Sequence, residues 1–215
     1  MTHLYLVRHG ETDWNAARRV QGSTDIPLND TGRAQARRTG RLLSSRRWDA
    51  IVASPLSRAL ETAEIIADEI DLPSPLTLDA LVERHYGEAE GLDYTTIDAR
   101  FPGGAPVPGR EERESVARRV FAALIGLAED RPGQRLIVVT HGGVIRTVLN
   151  SVASEQPRFF GIPITNGSVH SFACAEGALA LMAFDDQIEL DSVDPVAADF
   201  IEQNAVAARD EVGGA

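Results

Sequence analysis

Leu4-Tyr5-Leu6-Val7-Arg8-His9-Gly10-Glu11-Thr12 and Leu136-Ile137-Val138-Val139-Thr140-His141-Gly142-Gly143 follow one pattern. Each is an apolar run that reads as a buried parallel strand, and each stops at a histidine followed by glycine. In an open α/β sheet, ligands bind where parallel strands end and helices begin. Two histidines carried there by separate strands can therefore face each other across one pocket. Either histidine alone reads equally well as a polar cap on a strand. The doubled pattern, with Arg8 directly before the first histidine, moves the pair beyond that reading.

Working outward, period and punctuation predict strands at 3–7, 49–53, 135–140, 168–174 and 178–184. The last two are joined by a hairpin at Glu176-Gly177. Helical segments are predicted at 31–46, 56–70, 111–130 and 142–153. In the second of these, Leu56, Leu60, Ala63, Ala67 and Ile70 form one apolar stripe, with Ser54 as the expected cap and Pro55 in the first helical position. Asn29-Asp30 should open the helix near 31, and Arg46-Arg47 should close it. The expected fold is α/β: a three-layer α/β/α arrangement with a mostly parallel central sheet flanked by helices. The expected organisation is a single domain over residues 1–215. Residues 101–110, rich in proline and glycine, read as a rim or lid loop. After Asp185 the chain turns acidic, with partial order expected through Ile201 and a frayed acidic tail over 202–215.

Composition bounds the function. Apolar residues make up 43% and charged residues 25%, as in a soluble globular protein. No apolar run approaches the roughly 18 residues of a membrane span. The chain passes from Met1 straight into a strand, which leaves no room for a signal peptide, and the single Cys174 allows no internal disulfide. A cytoplasmic location is the expectation. The net charge of −11 argues against nucleic acid, whose backbone needs a basic stripe. Every basic residue apart from histidine is arginine, ten of them within residues 1–60.

The residues near the two histidines suit phosphoryl transfer. His9 can attack through one ring nitrogen if a hydrogen bond to the other fixes the tautomer. Arg8 has the planar fork that suits phosphate. Arg58, one turn into the helix expected to begin at Ser54–Pro55, would join its charge to that helix's N-terminal dipole at the same anion. His141 would close the other side, with Gly142-Gly143 approaching closely and donating N–H groups. No Cys/His spacing suggests a zinc site, and the arginines already supply the charge a metal would bring, so neither metal nor cofactor is expected.

Arg8-His9-Gly10-Glu11-Thr12-Asp13-Trp14-Asn15 resembles the signature of the histidine phosphatase superfamily, phosphoglycerate mutase-like branch. The similarity continues through Gln21-Gly22, Pro27-Leu28-Asn29-Asp30-Thr31-Gly32 and Ser54-Pro55-Leu56-Ser57-Arg58-Ala59-Leu60-Glu61-Thr62-Ala63. It then covers Leu81-Val82-Glu83-Arg84-His85-Tyr86-Gly87, His141-Gly142-Gly143-Val144-Ile145-Arg146 and Asn166-Gly167-Ser168. The resemblance implies that His9 forms a phosphohistidine. It also implies that Arg8, Arg58, His141 and Gly142 bind the phosphoryl group, with Asn15, Gln21 and Gly22 adding contacts. Glu83 would protonate the leaving oxygen and then activate water. From the residues alone Glu83 competes with Glu88 and Glu90, and only the resemblance selects it. His3, His85 and His170 read as structural or exposed.

The resemblance leaves the reaction open. Glu83-Arg84-His85-Tyr86-Gly87 is similar to the mutase pattern. Gly91-Leu92-Asp93-Tyr94 lacks the lysine that mutases carry there, however. Phe101-Pro102-Gly103-Gly104 and the stretch from His141 to Arg146 are phosphatase-like. The expectation is a phosphatase acting on a small phosphomonoester, with no nucleic-acid or membrane partner. A cofactor-dependent phosphoglycerate mutase is the first alternative, and a non-catalytic phosphate- or phosphoprotein-binding module is the second. Arg84 and Arg110 read as surface charges or as contacts for a second anion. The sequence does not reach the physiological substrate, and a homodimer stays open as an assembly.

Overall fold

Strand β1 (Thr2–Arg8) sends Leu4 and Leu6 to one face and Tyr5 and Val7 to the other, and all four are buried. That two-sided burial requires helices on both faces. The computed structural model describes residues 1–153 and 161–186, and within them both faces are covered. On one face, Leu4, Leu6, Leu136 and Val138 pack with Val116, Val120 and Leu124 of α5 (Arg113–Asp130) and Val144, Ile145 and Val148 of α6 (Gly142–Val152). On the other, Tyr5, Val7, Ile137 and Val139 pack with Leu43 of α2 (Asp30–Leu43) and with Ala59, Ala63, Ile66 and Ala67 of α3 (Ser57–Glu69). The fold is the three-layer α/β/α arrangement that the sequence predicts.

The sheet has six strands, adding β2 (Ala50–Ala53), β3 (Leu76–Thr77), β4 (Arg135–Thr140), β5 (Val169–Ala175) and β6 (Ala178–Ala183), in the order β3-β2-β4-β1-β5-β6. β1, β2, β3 and β4 run parallel, while β5 pairs antiparallel with β1 and β6 antiparallel with β5. The β5–β6 hairpin turns at Glu176 and Gly177, both with positive φ, as a tight two-residue turn requires. No helix among the described residues is long and apolar enough to cross a membrane.

The structure corrects several boundaries. α2 stops at Leu43, before Arg46-Arg47, although Asn29 does cap it by accepting from the Gly32 N–H at 2.8 Å. α3 starts at Ser57, not at Pro55, and Ser54 does not cap it. Asp25, distant in sequence, takes that place and accepts from both the backbone N–H and the hydroxyl of Ser57 at 2.8 Å. Two short helices were not expected: α1 (Asp13–Ala16), opened by a Thr12/Asn15 capping box, and α4 (Tyr94–Arg100), capped by Asp93. The 101–110 loop is pinned down, not a free lid. Val107 is buried against Val20, Ala89 and Ile97, and Pro108 accepts from the Glu88 N–H at 3.0 Å. The calls on the region after Asp186, including the 202–215 tail, lie outside the described residues.

Candidate active site

Parallel register brings the two histidines together. Arg8 pairs with Thr140 at the ends of β1 and β4, and the His9 N–H donates to the Thr140 carbonyl at 3.0 Å. His9 and His141 leave adjacent strand ends with ring centroids 5.2 Å apart, both buried. β2 ends alongside, so the Ser54 N–H donates to Val139 and α3 starts next to the same point. Three parallel strands thus converge on one pocket. It is lined by Arg8, His9, Asn15, Gln21, Gly22, Arg58, Glu83 and Gly142, together with Arg18, Arg19, Tyr86, Tyr94, Gly143 and Arg146. Of the predicted site residues, all but His141 appear in that lining, and His141 sits directly behind, against His9.

Hydrogen bonds fix the state of each group. His9 Nδ1 lies 2.6 Å from the Gly10 carbonyl, which can only accept, so Nδ1 carries the proton and Nε2 keeps its lone pair. Burial, then the positive charges of Arg58 and Arg8, hold the His9 pKa well below the usual histidine value. His141 Nε2 is 2.8 Å from Ser54 Oγ, and burial followed by Arg58, His9 and Arg8 lowers its pKa in the same way. Both rings are therefore neutral near neutral pH.

The arginines are held by carbonyl oxygens, with no carboxylate partner at those contacts. Arg58 Nη1 donates to Thr24 O at 2.9 Å and Nη2 to Gly22 O at 2.7 Å. Arg8 Nη1 donates to Ile164 O. Burial lowers both guanidinium pKa values against the pull of Glu83, that of Arg58 to about 10, so it stays cationic at neutral pH. Arg8 Nε, Arg58 Nε and His141 Nδ1 are buried with no hydrogen-bond partner among the described residues. Buried donors without partners are costly. The two arginine Nε donors, with His141 Nδ1 beside them around one histidine, suit an anion with several oxygens.

Glu83 accepts the Gly143 N–H at 3.0 Å and the Arg84 N–H at 2.8 Å. Here the structure corrects an expectation: the Gly143 amide holds this carboxylate and is not left to donate to an anion. Glycine at 143 leaves room for this approach, because a Cβ there would sit 2.6 Å from Glu83 Oε1 and displace the carboxylate. Asn15 Oδ1 accepts from Thr12 N–H at 3.2 Å, and Gln21 Oε1 accepts from Thr12 Oγ1 at 2.9 Å.

The other candidates separate cleanly. Glu88 pairs with Arg100 at the surface, and Glu90 is folded into the 22–24 turn. Arg84 and Arg110 lie over the Tyr86 ring at 5.5 and 5.8 Å, outside the pocket. The pocket is not short of cations, however, since Arg18, Arg19 and Arg146 line it. His170 is buried, with Ser168 Oγ at 3.0 Å and the Asp185 N–H at 3.1 Å; His85 is exposed, and His3 rests on Met182. Sequence reasoning missed Ser54 as the His141 partner. It also missed Thr62, which accepts from Gly10 N–H at 3.0 Å, and gave no role to Asn166, whose amide donates to the His9 carbonyl at 2.9 Å.

A buried histidine with a free Nε2, ringed by arginines at the carboxyl ends of parallel strands, defines a phosphate-handling α/β protein. The histidine phosphatase superfamily (branch 1) pattern matches residues 4–187, and the chain belongs to that family. An uncharacterised phosphatase PhoE of Bacillus subtilis is 39% identical over 82% of this chain and 90% of its own length. A metal-independent phosphoserine phosphatase of Arabidopsis thaliana is 37% identical over 69% and 67%. The solved structure of a mycobacterial glucosyl-3-phosphoglycerate phosphatase in complex with VO3 superposes with a TM-score of 0.77 at 28% identity, covering 85% of this chain and 98% of that one. Probable phosphoglycerate mutases of Salmonella also match, at 36% identity.

Proposed function

We propose that the protein hydrolyses small phosphomonoesters through a phosphohistidine on His9, without a metal ion, in the cytoplasm. The observation that carries this is the His9 tautomer: Nδ1 is committed to Gly10, so a neutral Nε2 is left beside Arg8, Arg58 and His141. In the first step Nε2 attacks phosphorus, the P–O ester bond breaks, and Glu83 in its acid form gives its proton to the departing oxygen. In the second, the Glu83 carboxylate takes a proton from water while the hydroxyl oxygen bonds to phosphorus. The P–N bond breaks, which frees phosphate and neutral His9. Arg8, Arg58, His141 and the α6 N-terminus beginning at Gly142 would hold the equatorial oxygens through both steps. Asn15, Gln21 and Gly22 would add contacts.

Metal independence is supported by this arginine–histidine charge set and by the relative named for that property. The substrate class is supported by relatives named for phosphoserine and glucosyl-3-phosphoglycerate. The test is a panel of phosphomonoesters, including 3-phosphoglycerate with and without 2,3-bisphosphoglycerate, assayed with EDTA. Phosphate release that survives chelation is the expected result. Conversion of 3-phosphoglycerate to 2-phosphoglycerate with little free phosphate would make the protein a mutase. Binding without turnover would make it a phosphate-binding module.

A further inference from the structure

We propose that Glu90 is a positioning residue for Arg58, fixing the guanidinium through the Gly22–Thr24 turn; this rests on the reading of Arg58 as a phosphate ligand. Arg58 makes no direct hydrogen bond to Glu90, although the charge of that carboxylate acts on the guanidinium. Its two terminal nitrogens are held by the carbonyl oxygens of Gly22 and Thr24, so the direction in which Nε points is set by where that turn lies. The Thr24 N–H also reaches the Gln21 carbonyl at 3.2 Å and neighbouring Asp25 is tied to Ser57, but the side chain that gathers the donors of Ser23 and Thr24 is Glu90. Glu90 Oε1 accepts from the Ser23 N–H at 3.1 Å and the Ser23 hydroxyl at 3.3 Å, and Oε2 accepts from the Thr24 N–H at 3.0 Å and the Thr24 hydroxyl. Oε1 also accepts from the Tyr86 N–H at 2.9 Å, tying the turn to the backbone of a second pocket-lining residue.

The fit is close. A Cβ at Gly22, whose φ is +58°, would overlap the Glu90 carboxylate. The side chain is 11% exposed. Burial alone would raise its pKa, but bonds from Thr24, Tyr86 and Ser23 outweigh that and hold it below the usual carboxylate range. Five donors converge on two oxygens, so only an ionised carboxylate satisfies them. A glutamine of the same shape would turn its NH2 against donor groups, whichever way it flips.

The experiment measures competitive inhibition by inorganic phosphate and by orthovanadate in four proteins: wild type, E90Q, R58A and E90Q/R58A. E88Q serves as a control at the neighbouring surface glutamate. E90Q should weaken both inhibitors by about tenfold, the scale of a lost charged hydrogen bond, with a folded protein of lower melting temperature. In the R58A background E90Q should add nothing, because the two act in series. Unchanged inhibition in E90Q, or an equal further loss in the R58A background, would overturn the proposal. Full inhibition in R58A would instead remove Arg58 from the phosphate site, which sinks the functional assignment and this proposal together. If E90Q does not fold, T24V carries the same test with one hydroxyl donor removed: inhibition weakened about threefold supports the proposal, and no change refutes it.

Discussion

The two sides of the pocket spend their buried polar atoms in opposite ways. Around His9, the Nε atoms of Arg8 and Arg58 and Nδ1 of His141 have no hydrogen-bond partner among the described residues. Under the Gly22–Thr24 turn, the Glu90 carboxylate draws the backbone and hydroxyl donors of Ser23 and Thr24 into one cluster. An unpaired buried donor costs about 1–3 kcal/mol. A fold that keeps several on one side while satisfying the other has placed its cost where an anion can repay it. Burial and charge do not separate catalytic from scaffold groups here. An unspent buried polar atom also occurs away from the pocket, at Gln134 Oε1, so what marks the site is that three of them gather around His9.

The largest test of that contrast is His9→Ala. Removing the nucleophile should lower turnover by at least about a thousandfold and abolish acid-labile, alkali-stable label trapped from a labelled ester. Glu83→Gln comes next. Hydrolysis of alkyl phosphates should fall by roughly 10²–10⁴-fold, while p-nitrophenyl phosphate, whose phenolate leaves unaided, should lose far less. Gly143→Ala should imitate it in weaker form, because the new Cβ lands 2.6 Å from Glu83 Oε1 and pushes the carboxylate aside. The readout is again the ratio between the two ester types, and an equal loss on both would sever Glu83 from proton donation.

Ser54→Ala should cost about tenfold in kcat/KM. It leaves Nε2 of His141 buried without its partner and turns a satisfied atom on the histidine side into a further unsatisfied one. The last effect is on stability and leaves turnover aside. His170 keeps its neutral form down to about pH 3, because of burial and then Arg146, whereas the unfolded chain takes that proton near 6.5. Unfolding therefore takes up a proton between these values, so stability falls as pH drops from 6.5 toward 3. His170→Gln should flatten that acid limb in melting scans. His9 and His141 tilt it the same way, so the limb should not vanish.

What could be read in the sequence was whatever is local. β1 and β4 announce themselves by uninterrupted apolar runs, and the histidines by their place at the ends. Thr12 and Asn15 form the capping box of α1, but four residues make no hydrophobic period to mark a helix there. Ser54 shows the limit. By position it looks like a cap, but its hydroxyl is engaged by His141, 87 residues away, and the cap comes from Asp25. Glu83, Glu88 and Glu90 are alike as residues within one short segment. They are told apart only by what meets them in space: the Gly143 amide, Arg100 and the 22–24 turn. Asn166 and Thr62 support His9 and Gly10 across the fold, which no spacing along the chain encodes.

Five arginines line the pocket of a chain whose formal net charge is −11. A phosphomonoester dianion diffusing toward this molecule meets a repelling far field and an attracting mouth. At physiological ionic strength the field of exposed charges fades over about 8 Å, while that of partly buried groups is screened much less. Added salt should therefore first ease the approach and only later weaken capture, giving an encounter rate that rises before it falls. The same asymmetry acts on the way out. Once inorganic phosphate has left the mouth, the acidic surround works against its return, so each departure is more nearly final than the affinity of the pocket alone would allow.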